Sequence, residues 1–96
     1  IIVQNNTEKS NELSVFPNPI SSSKVLNVIV KTKNEIEKIV VEVLDQKGCL
    51  FFVSEFDHNG ISRVNVPIQQ FNLATGTYFV RVILEKDVLT QIIIVL

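Results

Sequence analysis

The chain has 96 residues, of which 46% are hydrophobic and 20% are charged. This length suits one domain, and the apolar content is too high for a disordered segment. The formal net charge is -1. The chain therefore lacks the basic excess that attracts nucleic acids, and we expect no nucleic acid partner. No apolar run approaches the roughly 20 residues of a membrane-spanning helix. Because the sequence contains no methionine, we interpret it as a piece of a longer protein.

The first part of the chain, residues 1–12, is predicted to be a linker. Gln4–Glu12 is a polar tract without hydrophobic periodicity, as in solvated connecting segments. From Leu13 onward, Val and Ile dominate short apolar blocks, which favours strands over helices. We therefore expect a linker over residues 1–12 and a single folded domain over residues 13–96.

Strands separated by turn sequences are predicted throughout the domain. Seven are expected: Leu13–Phe16, Val25–Lys33, Lys38–Asp45, Cys49–Phe56, Ile61–Val66, Thr77–Glu85 and Val88–Leu96. Asp45–Gly48 predicts a type I turn closed by a left-handed glycine, and Asp57–Gly60 and Glu85–Asp87 predict two further hairpins. This pattern indicates an all-β fold, a seven-stranded antiparallel immunoglobulin-like sandwich.

The segment Leu73–Tyr78 carries the most specific fold signal. Gly76 at a corner, followed by Tyr78 at the start of a strand, matches the tyrosine corner of immunoglobulin-like sandwiches. We therefore expect the Tyr78 hydroxyl to bond to the main chain upstream. Side chains alternate between the two faces of a strand, so this strand is predicted to have one buried face, formed by Tyr78, Val80, Val82 and Leu84.

Side chains suited to catalysis or metal binding are few. His58, the one histidine, falls in the predicted Asp57–Gly60 turn, where solvent exposure is expected. No second His or Cys stands at zinc-ligand spacing, and Asp57 and Asn59 lack the other ligands of a calcium loop. Cys49 has no basic neighbour to activate its thiol. We expect no cofactor, no metal and no enzyme activity.

Four segments in chain order carry a family resemblance. They are Phe16-Pro17-Asn18-Pro19 after the linker, Leu44–Gly48, Leu73–Val80 and the apolar final strand. Over roughly residues 13–96, this order resembles the type A C-terminal sorting domain of type IX secretion. Such domains stand at the end of secreted and surface proteins of certain Gram-negative bacteria.

The resemblance implies a sorting signal. It implies that the domain directs an N-terminal cargo through the periplasm and across the outer membrane, to the cell surface or the medium, by binding translocon components. It also implies that a sortase-like peptidase removes the domain, and the polar linker offers an accessible cleavage segment. The implied recognition residues are Pro17, Asn18, Pro19, Asp45, Gly48, Gly76, Tyr78, Thr90, Gln91, Ile92, Ile93, Ile94, Val95 and Leu96.

Several of these residues also have a purely structural interpretation. Pro17 and Pro19 fix φ and favour an extended entry into the domain, and Asn18 between them suits a turn. Ile92–Leu96 contains no Gly, Pro or charge. It is therefore either a buried central strand or an edge that pairs with another chain, by addition to a receptor or by strand exchange in a homodimer.

Two other functions stay open at this point. The first is a carbohydrate- or protein-binding module of a surface protein, although one Tyr and no Trp supply a sugar platform poorly. The second is a structural domain that stabilises the parent protein. Export of a fused reporter separates both from a sorting signal.

Overall fold

The computed structural model describes residues 11–96, apart from the side chains of residues 34–36. Five strands occur in the order β1 (Glu12–Phe16), β2 (Leu26–Asp45), β3 (Leu50–Val66), β4 (Gly76–Ile83) and β5 (Val88–Val95), with a 3₁₀ helix at Ile68–Gln70. All neighbouring strands are antiparallel. This confirms the predicted all-β, antiparallel class.

The strand β2 organises the sheet because it is long enough to pair with three others. β1 pairs with its first half and β4 with its second half, while β3 follows it along nearly its whole length. β5 pairs with the far side of β4. β1 also contacts β5, so the sheet curls until its two ends meet around the core.

Five strands are observed where seven were predicted, because two predicted pairs are continuous. The pairs are Val25–Lys33 with Lys38–Asp45, now in β2, and Cys49–Phe56 with Ile61–Val66, now in β3. The hairpin predicted at Asp57–Gly60 is wrong, since these residues lie inside β3. Gly60 does have a positive φ of 82°, but this conformation serves β-bulges as well as turns.

A bulge near the middle of the β2–β3 pair changes which face of β2 points inward. The register shifts between Lys31 and Ile36, which leaves residues 32–35 of β2 opposite Gly60 of β3. Even-numbered residues of β2 are buried before the shift and odd-numbered ones after it: Leu26, Val28 and Val30, then Ile39, Val41 and Val43. One continuous strand therefore lines the core from both halves.

The core is a single cluster of mostly aliphatic side chains, chiefly from β2, β4 and β5. Residues outside the strands complete it, namely Ile20, Ile68, Leu73 and Leu84. The predicted buried face, Tyr78, Val80, Val82 and Leu84, is confirmed. No helix within residues 11–96 is long and apolar enough to cross a membrane.

Candidate functional site

Four segments that are distant in sequence meet at one end of the sheet. Asp45 of β2 pairs with Tyr78 of β4, and Tyr78 pairs in turn with Ile93 of β5. Beyond β5 lies Asn18, whose side chain bonds to the main chain on both sides of Ile93. We call Asn18, Ile93, Tyr78 and Asp45 the motif row. It joins one residue from each of the four sequence segments.

Asn18 occupies the outer edge of β5. Its Nδ2 donates to the carbonyl oxygen of Ile92 at 2.9 Å, and its Oδ1 accepts from the amide of Ile94 at 3.0 Å. The side-chain amide thus takes the place of a peptide group from a neighbouring strand. Pro17 and Pro19 flank it at the surface and have no N–H to compete for these partners.

Ile20 continues this contact toward the end of β5. Its amide donates to the carbonyl oxygen of Ile94 at 2.8 Å, and the amide of Leu96 donates to the carbonyl oxygen of Ile20 at 2.8 Å. These bonds make a parallel bridge between Ile20 and Val95. The fully buried Ile20 side chain anchors the segment in the core. We call Asn18–Ile20 the edge cover.

The side chains of β5 alternate between core and solvent. Ile93 and Val95 are fully buried, whereas Ile92, Ile94 and Leu96 are 49%, 37% and 64% exposed. The strand is therefore neither a central strand nor a free edge over Ile92–Leu96, because β4 and the edge cover take its two sides. Its outward face keeps three aliphatic side chains in contact with water, a surface suited to a partner.

Thr90 and Gln91 lie outside the motif row. Thr90 pairs with Arg81 and Gln91 with Val80, which places them about 7 to 10 Å along the strand from Ile93. Thr90 is exposed and Gln91 is half-buried. These two predicted recognition residues therefore lie toward the start of β5, on the opposite side of Ile93 from Val95 and Leu96.

Tyr78 forms the predicted corner. Its hydroxyl donates to the carbonyl oxygen of Ala74 at 2.7 Å, which confirms the expected bond to upstream main chain. Its ring lies edge-on to Phe51, with the centroids 6.0 Å apart. Gly76 begins β4 two residues earlier and pairs with Val95. The corner therefore fixes the start of β4 against the end of β5.

Asp45 organises the turn between β2 and β3. Its Oδ1 accepts from the amides of Lys47 at 2.8 Å and Cys49 at 2.9 Å. The Cys49 amide is the largest cause that holds the pKa of Asp45 below its usual value, since it stabilises the carboxylate form. Gly48 has a φ of 90°, which confirms the predicted left-handed glycine.

A shallow polar depression of about 360 Å³ opens beside the motif row. It is lined by Asp45, Gln46, Lys47, Thr75, Gly76, Thr77 and Tyr78. The lining brings one carboxylate and one ammonium to hydroxyl and backbone groups, which suits hydrogen bonding to a peptide. Within residues 11–96, no group of three or more His, Cys, Asp or Glu side chains is placed to hold a metal ion.

His58 corrects the prediction of a solvent-exposed loop histidine. It is fully buried inside β3, with Nδ1 2.7 Å from Ser62 Oγ and Nε2 2.9 Å from Thr32 Oγ1. The two hydroxyls span the β2–β3 bulge, so His58 is part of its structure. Period two could have indicated this, because His58 shares its face of β3 with Phe56 and Val64.

The comparison with protein families matches most of the chain. The model of the secretion system C-terminal sorting domain covers residues 14–96, from the middle of β1 to the last residue, and includes the whole motif row. No match is found among curated proteins.

Proposed function

We propose that this chain, which belongs to the type IX secretion C-terminal sorting domains, carries its recognition surface on the exposed face of β5 and beside the motif row, whose buried side chains Tyr78 and Ile93 hold that surface in place. The family marks secreted and cell-surface proteins. The observation that carries the proposal is the convergence of four separated segments into one row. Because the four segments come together only in the folded domain, a partner that binds there recognises the folded state.

The proposed route begins with a cargo attached N-terminal to the domain. The cargo crosses the inner membrane by a separate leader, and the domain then engages translocon components from the periplasm. A sortase-like peptidase cuts between Gln4 and Glu12, a segment that lies mostly outside the described residues. The domain itself performs no catalysis and uses no cofactor.

The translocon is proposed to contact an apolar row on the outer face of the sheet. Leu50 of β3, Leu44 of β2, Phe79 of β4 and Ile92 of β5 pair successively across four strands. Leu50 and Ile92 are each about half exposed, whereas Leu44 between them is buried. An apolar row that crosses several strands fits a receptor surface. Strand addition at Ile92–Leu96 would require the receptor to displace the edge cover, which already bonds to that edge.

We propose that the curled sheet is an immunoglobulin-like sandwich. β1 pairs antiparallel with β2, but four residues after β1 ends, Ile20 pairs in parallel with β5. The chain thus changes partners at Phe16–Pro19 and joins the two ends of the curled sheet. The tyrosine corner at Tyr78 supports the same assignment.

The test is export of a reporter that carries an inner-membrane leader and is fused to residues 1–96. We expect it to reach the surface or medium in a type IX-competent host and to stay periplasmic in a translocon-deficient sibling. Asn18→Ala should reduce export, while Asn65→Ala, an exposed residue of β3, should leave it unchanged. Equal export in the two hosts would contradict the proposal.

A protein-binding accessory module is the second candidate. The exposed aliphatic side chains of Leu50, Val53 and Ile61 favour protein contact over sugar contact. In that case the folded fusion stays periplasmic in both hosts.

A further inference from the structure

Among the described residues, 11–96, the outer edge of β3 has no pairing partner along the whole strand. β3 pairs with β2 on one side, and no other strand of residues 11–96 pairs with it. It is 17 residues long and contains neither proline nor lysine, the residues that commonly protect edges. A typical strand has about 5 to 6 residues. This edge therefore offers an unusually long ladder of backbone donors and acceptors.

Between Phe52 and Val66 the strand β3 contains no inserted residue, and Gly60 in its middle has a positive φ of 82°. The residues inserted at the bulge, 32–35, belong to β2, and Gly60 alone stands opposite them. Side chains of β3 alternate between half-buried or buried and exposed from Val53 to Val66. Alternation without an insertion keeps the register of an added strand in phase along the edge.

The exposed charges of β3 complement a second β3 running in the opposite direction. Glu55 and Arg63 are both exposed, and Glu55 has no ion pair with any described residue. In an antiparallel alignment centred on Asn59, Glu55 of each copy stands opposite Arg63 of the other. Arg63 is restrained by the ring of Phe16, 5.8 Å from its guanidinium. Directly opposite charges of unlike sign stabilise a pair of strands.

We propose that two copies of this chain associate through their β3 strands, antiparallel and centred on Asn59. This register pairs Phe52–Val66 of one copy with the same segment of the other and joins the two sheets into one. A register centred on Gly60 would place Arg63 opposite Asp57, whose carboxylate already binds Lys38 at 3.2 Å. The proposal is independent of the sorting function.

Disulfide trapping tests the register directly. In a Cys49→Ser background, which removes the exposed native thiol, Asn59→Cys places two thiols at the symmetry centre. Opposite Cα atoms in antiparallel strands are about 4.5 to 5.5 Å apart, within the range of a disulfide. We expect mild oxidation to give a covalent dimer.

The matched control is Asn65→Cys in the same background. Asn65 lies on the same exposed face, but the proposed register puts it opposite Val53 of the other copy. The two introduced thiols are then about 40 Å apart along the strands, and no covalent dimer is expected. Crosslinking of both variants, or of Asn65→Cys alone, would overturn the register.

Charge reversal tests the same pairing without a covalent bond. Light scattering over a concentration series should show a dimer that Glu55→Arg or Arg63→Glu weakens about tenfold or more, since each change places like charges opposite each other twice. The double variant should restore the dimer. A monomer at every concentration would refute the proposal. So would a dimer that ignores these charges, as expected for exchange of β5.

Discussion

Asn18 and His58 both make two side-chain hydrogen bonds where regular strand pairing is interrupted, but in opposite surroundings. Asn18 is exposed and bonds to backbone groups of β5, whereas His58 is fully buried and bonds to Thr32 and Ser62. Water can replace the partners of an exposed amide, but it does not reach the fully buried ring of His58. A similar number of bonds should therefore contribute less at the edge than in the core.

Replacement of His58 should give the largest effect. His58→Ala leaves a cavity and removes both hydrogen bonds across the bulge, so the free energy of unfolding should fall by about 2 to 4 kcal/mol. Urea denaturation measures it. Asn59→Ala, the exposed neighbour, serves as control and should change stability by about 0.5 kcal/mol or less. Equal losses of stability in the two variants would show that the buried side chain of His58 contributes no more than an exposed one, and would contradict the comparison of His58 with Asn18.

The hydroxyl of Tyr78 should contribute an intermediate amount, because it is part-buried and bonds to a backbone carbonyl. Tyr78→Phe keeps the ring against Phe51 and removes the bond to Ala74. The free energy of unfolding should fall by about 1 to 1.5 kcal/mol. A loss as large as that of His58→Ala would show that exposure does not set the order of these effects.

Loss of the Asn18 side chain should lower the free energy of unfolding by a smaller amount, and its effect should be confined to the edge of β5. Asn18→Ala is expected to lower the free energy of unfolding by about 0.5 to 1 kcal/mol. It should also accelerate hydrogen exchange of the Ile94 amide, which donates to Asn18. The amide of Ile93 points toward β4 and is the internal control. Uniform acceleration along β5 would mean that Asn18 stabilises the whole domain and not the edge alone.

The smallest effect on stability should come from protonation of Asp45 at low pH. Backbone amides lower the pKa of Asp45 in the folded state, below the unfolded value of about 3.9. The charged carboxylate therefore stabilises the fold above that value, and this contribution disappears as pH falls through the folded pKa. Urea midpoints should differ between the wild type and Asp45→Asn from pH 7 down to about 4, and converge below it. A constant difference would exclude the charge as the cause.

Local chemistry explains which parts of this structure were predictable. The Asp45 turn and the Tyr78 corner each depend on residues within four positions of each other, so a short sequence window contains the whole signal. The turn predicted at Asp57–Gly60 failed because Gly60 serves a bulge whose extra residues lie in another strand. The predicted strand count failed for the same reason.

The role of Asn18 could not be predicted from its neighbours. Its bonds to β5 span 74 and 76 residues, and Pro-Asn-Pro alone is equally consistent with a simple turn. The four motif segments were recognised individually, but their meeting in one row depends on the curl of the sheet. That curl follows from the long β2 and its bulge, and the sequence pattern indicated neither of them.

The edge cover also sets the order in which the domain can be completed during synthesis. A ribosome releases Asn18–Ile20 early, but the partners of this segment, Ile92–Leu96, emerge last among the described residues. Until then Ile20 lacks its bridge and β4 lacks a neighbour on its far side. Contacts of such high sequence separation form late, because the intervening chain must first be ordered. A nascent or prematurely terminated polypeptide therefore cannot assemble the motif row, which ties the finished surface to a chain translated through β5.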